Sequence, residues 1–169
     1  PTGDFTFVLA TYITSIMILI LQTGLIIAVS FLVFKFLVLP VLLSTALLII
    51  LASSVFILLG MFIGYLFNSE ETATITSIFS GSVFLFLSDL ILPFESMPAK
   101  VLEYALYNPY VISDSILKRS LFFDIPIESM MDKVYVVLIY AGFLFVLIIV
   151  LQKLSRQEYL QRADKVKKE

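Results

Sequence analysis

Four stretches of this chain, Phe5–Phe34, Phe36–Ser69, Thr72–Ser88 and Val134–Gln152, contain no Asp, Glu, Lys or Arg. A membrane-crossing helix needs about 20 largely apolar residues. The first two runs exceed that length, the last meets it, and the third reaches it once Leu90–Phe94 is joined on beyond Asp89. The pattern predicts four spans, at about 5–34, 41–67, 73–94 and 134–152. From Glu95 to Lys133 the charges return, while apolar residues keep a helical spacing: Val101, Leu102, Ala105 and Leu106 in one piece, then Ile112, Ile116, Leu117 and Leu121 in another. Neither piece is long enough to cross. Pro98 suits a helix start and Asn108-Pro109 breaks the two pieces apart. Helices of this kind lie in the interface or re-enter partway, where protein covers their backbone. The expected fold is all-α: a polytopic membrane bundle of four transmembrane helices, with two short outward-facing re-entrant or interfacial helices over 95–132 and a tail over 153–169.

The polar residues inside these runs are the candidates for function. Gln22, near a Gln22-Thr23-Gly24 step where the first helix can kink, is either a pore contact or an interhelical hydrogen-bonding group, and packed spans favour the second. Lys35 is placed to snorkel at the first break, and Pro40 fits the first turn of the next helix. Gly60 and Gly64 give a small-xxx-small spacing that lets two backbones approach; because that spacing is common in membrane helices, ordinary packing is favoured over a dedicated dimer seam. Asn68 is expected to cap the third helix with Glu71 three residues on, and Glu70-Glu71 favour the positive end of its dipole. Ala73, Ser77 and Gly81 share one face, with Ser80 beside it, and such a face either packs tightly or lines a polar path. Asp89 stands near the end of that span, where an ionisable residue is a candidate for conduction or gating. Its nearness to Pro93 also fits a solvated acid at a helix end.

Composition narrows the class. At 60% hydrophobic and 14% charged residues, the chain lacks the polar surface a soluble bundle of 169 residues requires. The net charge of −2 and the absence of a basic, aromatic-interleaved patch give no sign of nucleic acid as a partner. With no cysteine and no histidine, disulfides, thiolate metal sites and the commonest general base are missing. A lone Asp89 without a second carboxylate or a Ser-Lys pair makes a poor intramembrane enzyme. Six basic residues, Lys153, Arg156, Arg162, Lys165, Lys167 and Lys168, crowd the short tail, against Lys100, Lys118, Arg119 and Lys133 spread over the longer hairpin. By the positive-inside rule the tail is cytoplasmic, and the hairpin between the third and fourth spans faces out. Pro1–Asp4 enters the first span with neither a basic leader nor a cleavage site, which reads as a cut through a longer polypeptide.

One segment carries a resemblance. Phe86, Leu87, Ser88, Leu90, Ile91, Pro93, Glu95, Met97 and Pro98, followed by Asn108-Pro109 and a helix bearing Arg119, resemble the C-terminal part of the membrane domain of type-2 ATP-binding-cassette transporters, the ABC-2 permease family. Asp89 stands where that family commonly has Gly. The resemblance implies spans three to six of a six-span permease, with Pro1–Asp4 ending a coupling region and 95–133 forming the re-entrant helices. It implies a partner ATPase subunit or domain that holds ATP and magnesium, and a second permease copy, as homo- or heterodimer, around a pathway used for export across the plasma membrane. No Gly-x-x-x-x-Gly-Lys-Ser/Thr phosphate loop occurs here, so no cofactor is expected on this chain. In that setting Asp89, Glu95, Gln22, Ser77 and Ser80 are the candidate pathway or gating residues. Gly60, Gly64 and Gly81 are packing positions, and Pro93, Pro98, Asn108 and Pro109 shape the re-entrant turn. The competing reading is a membrane anchor or scaffold that transports nothing; a phosphate-loop ATPase encoded beside this chain or fused upstream is expected only for the transporter.

Overall fold

The computed structural model describes residues 4–34, 42–123 and 125–166. Among these the chain is all-helical: α1 (Asp4–Phe34), α2 (Leu42–Leu66), α3 (Glu70–Phe86), α4 (Ala99–Ala105), α5 (Pro109–Phe123) and α6 (Met131–Val166), with 3₁₀ turns at Phe94–Ser96 and Ile127–Met130. The expected break at Lys35 and Pro40 lies outside the described residues, as do Pro1-Thr2-Gly3 and the basic side chains beyond Leu154. Helices α1 and α2 are apolar on every face, as membrane spans are. Among the described residues, three segments are long and apolar enough to cross a membrane: Phe5–Val33, Thr45–Leu66 and Ile127–Leu154. α1 continues unbroken through Gln22-Thr23-Gly24, and α6 continues past Gln152 to Val166, so the start of the tail prolongs the last span as helix.

The third apolar run behaves differently from its hydropathy. Instead of one helix over 73–94, α3 holds 17 residues and stops at Phe86. At 1.5 Å per residue that is about 25 Å, short of a hydrocarbon core of about 30 Å. Leu87 leaves the helix with φ −84° and ψ 33°, and turns occupy the stretch up to Pro93. Pro93 cannot donate to a helical carbonyl and biases Leu92 away from helical backbone. The start is also shifted by one residue. Ser69, not Asn68, is the N-cap, its Oγ accepting from Thr72 N at 3.5 Å, with Glu70 and Glu71 following in the first turn.

α2 is the centre of the bundle. Leu48 and Val55 pack with Val134 and Val137 of α6 and with Ile112 and Ile116 of α5, while Leu58 packs with Ile148 and with Val8 of α1. These pairings make α2 and α6 parallel, with α1 antiparallel to both. α5 runs antiparallel to them too, since Ser120 meets Thr45 and Ser115 meets Lys133. Lipid tails are as apolar as Leu, so hydrophobicity alone does not hold such helices together; close packing and interhelical hydrogen bonds do. Among the described residues such bonds include Tyr12 Oη to Ser54 Oγ at 2.6 Å, Thr45 Oγ1 to Ser120 Oγ at 3.0 Å and Lys133 Nζ to Ser115 Oγ at 2.7 Å.

Candidate functional site

The residues from Phe84 to Lys133 form one bonded assembly, and Asn108 is its fastener. A helix leaves its last carbonyls without internal partners, and burying them bare is costly. Asn108 Nδ2 donates to two of those at the end of α3, Phe84 O at 2.7 Å and Leu87 O at 3.0 Å. Its Oδ1 accepts from Tyr110 N at 2.9 Å, which caps the start of α5, and Pro109 takes the first helical position, where no N–H is needed. One amide, 6% exposed, therefore closes one helix and opens another. Ser88, 1% exposed, adds a second closure: its Oγ donates to Leu85 O at 2.5 Å and accepts from Leu90 N at 3.3 Å.

Around this fastener the hairpin docks on α2 and α6. The Phe56 ring lies edge-on to Phe84 at 6.5 Å and to Tyr110 at 6.4 Å, which ties α2 to the end of α3 and the start of α5. Such pairs contribute about 0.5–1.5 kcal/mol beyond their area. Tyr140 Oη donates to Tyr107 O at 2.7 Å, and Lys133 Nζ donates to Ser115 Oγ at 2.7 Å. Lys118 pairs with Asp114 at 2.7 Å. Tyr110 lies beside Phe56, inside a candidate span, and Ser120 meets Thr45 at that span's first residue. α5 therefore enters the bundle from the Thr45 end and reaches about halfway along α2.

The remaining candidates are placed apart. Asp89 is exposed in the turn after α3, where its Oδ1 accepts from Phe94 N at 3.4 Å, and Glu95 is exposed in the 3₁₀ turn beside it. Pro93 precedes that turn and Pro98 precedes α4. Ser77 and Ser80 are half-buried on α3, a helix with no fully buried residue, and Gln22 is exposed on α1. Gly60, Gly64 and Gly81 are exposed, and a Cβ at any of them meets open space, so among the described residues they seat no neighbouring helix. The structure thus gathers Ser88, Asn108 and Pro109 and sets Asp89 and Glu95 on one exposed turn, away from Gln22.

The sequence reading missed Ser115, Ser120, Tyr140 and Thr45, whose hydrogen bonds dock the hairpin, and the buried Ser113 beside them. A signal existed for two of them: Ser113 and Ser120 repeat at seven residues beside Ile112 and Ile116, and all four form the buried face of α5. The description "ABC-2 type transporter" belongs to the family whose sequence model matches residues 2–122, from the start of α1 into the end of α5. No curated protein and no solved structure matches the chain.

Proposed function

The chain belongs to the ABC-2 type transporter family, and from that premise we propose that it forms half of an export pathway, paired with a second permease copy and driven by ATP hydrolysed elsewhere. Membership makes it a membrane permease domain without catalytic chemistry of its own, served by a separate ATPase. The observation that carries the finer reading is the hairpin fastened by Asn108. α3 is too short to cross alone, and the turns and helices up to α5 complete its passage, so the chain crosses four times in function. With six basic residues in the tail, the C-terminus is cytoplasmic and the hairpin opens outward at a plasma membrane. Asp89 and Glu95 then stand on the outward turn at the mouth of the pathway, while Ser77 and Ser80 lie along α3. The exposed apolar face of α1 and the open Gly60–Gly64 face of α2 are free for lipid or for the second copy.

The test is co-expression with a phosphate-loop ATPase from the same system. A complex that purifies together and whose ATP turnover changes on reconstitution supports the permease; a scaffold yields neither. Single cysteines at Ser96 and at Ser69 separate the two orientations. The first is expected to react with an impermeant thiol reagent added outside intact cells, and the second only after lysis.

A further inference from the structure

Between α2 and α5 lies a cavity of about 160 Å³, lined by Ser53 and Phe56 on one side and by Tyr110, Ser113, Asp114 and Leu117 on the other. Ser113 is 4% exposed, and its Oγ is buried without a hydrogen-bond partner among the described residues. A hydroxyl left unpaired in an apolar setting costs about 1–3 kcal/mol. The α2 side of the notch sits about 10–17 Å in from the Thr45 end of its span, at 1.5 Å per residue. The Asp114–Lys118 pair stands at the same notch, with the carboxylate 34% exposed. Ionised groups at membrane depth face protein or water-filled space, not lipid. Volume alone does not decide what fills the notch, because an all-apolar cavity of about 150 Å³ stays dry. The lining decides it. Three hydroxyls and a carboxylate meet the two to four polar partners that a buried water requires.

We propose that this notch is a hydrated binding site at membrane depth, taking water or the hydroxyl groups of a small polyol, with Ser113 Oγ and the Asp114 carboxylate as its inner partners. A hydroxyl ligand satisfies both, donating to the carboxylate and exchanging a hydrogen bond with the serine. It also lets an ion pair persist beside the span. The site belongs to the seam between α2 and α5, and neither the α3 serines nor Asp89 line it.

The absence of cysteine from the chain gives a clean test. Thiol reagents attack the thiolate, which forms only where water reaches the sulfur. Ser113→Cys and Ser53→Cys, each in the full chain with its ATPase in native membranes, are expected to react with a small permeant methanethiosulfonate at least tenfold faster than Val55→Cys, a fully packed position at similar depth. Molar glycerol that slows Ser113→Cys more than it slows an exposed Ser96→Cys assigns the occupant to an alcohol; equal slowing assigns it to water. Both serine variants reacting as slowly as Val55→Cys overturns the proposal. So does a Ser113→Ala protein that melts at or above the wild-type temperature, since removing an unpaired hydroxyl from a dry pocket is neutral or stabilising. No readout involves transport, so failure here leaves the permease assignment untouched.

Discussion

A single amide at Asn108 carries more of the local structure than any charged residue nearby. Asn108→Ala strips donors from Phe84 O and Leu87 O and the acceptor from Tyr110 N. Bare buried acceptors and a lost cap together predict a destabilisation of about 2–4 kcal/mol, read by thermal unfolding in detergent. Asn108→Asp keeps the cap but turns an oxygen toward two carbonyls, so it is expected to fall nearly as far. An Asn108→Ala protein as stable as wild type would show that the fastening is dispensable. Asp89 is the opposite case. Its bond to Phe94 N is long and exposed, so Asp89→Asn and Glu95→Gln are expected to shift stability by under about 0.5 kcal/mol. On the proposed pathway they lower ATP-coupled transport per folded molecule severalfold. Equal loss of expression and of specific transport would make both residues structural.

At the scale of elements, the docking of α5 on α2 rests on the Thr45–Ser120 pair, both buried. Thr45→Val or Ser120→Ala alone leaves one hydroxyl stranded, at about 1 kcal/mol or more. The double substitution is expected to cost less than the sum, with a coupling near 0.6 kcal/mol, the usual size for hydrogen bonds between membrane helices. Strict additivity would mean that the two hydroxyls do not hold each other. Three of the four expected spans were legible in the sequence because runs without charge are long and their chemistry is one-dimensional. So were the two short helices, since Pro98, Asn108 and Pro109 punctuate them locally. The end of α3 was not legible. Phe84–Leu87 and Leu90–Leu92 are apolar, Pro93 comes seven residues after the helix's last residue, and the amide that closes the helix end lies more than twenty residues away. The docking serines escaped for the same reason, because a hydroxyl pointing into a seam and one pointing into lipid read alike. Gly60 and Gly64 show the converse: their spacing suggests packing, yet among the described residues a Cβ at either meets nothing.

For the molecule as a whole, the three candidate spans and the hairpin leave much apolar surface on α1 and α3 uncovered, including Leu21, Leu25, Leu32, Ile75, Ile78 and Phe79. A lipid bilayer covers such surface; water does not. The central claim is that this is the ATP-driven permease of its family, and joint reconstitution tests it most directly. The full polypeptide and its phosphate-loop ATPase are placed in proteoliposomes and ATP turnover is measured with wild type and with Asn108→Ala. The predicted result is a complex with two permease copies whose ATP turnover differs from that of the isolated ATPase, a difference diminished by Asn108→Ala. A permease that binds no ATPase and leaves its turnover unchanged would contradict the account.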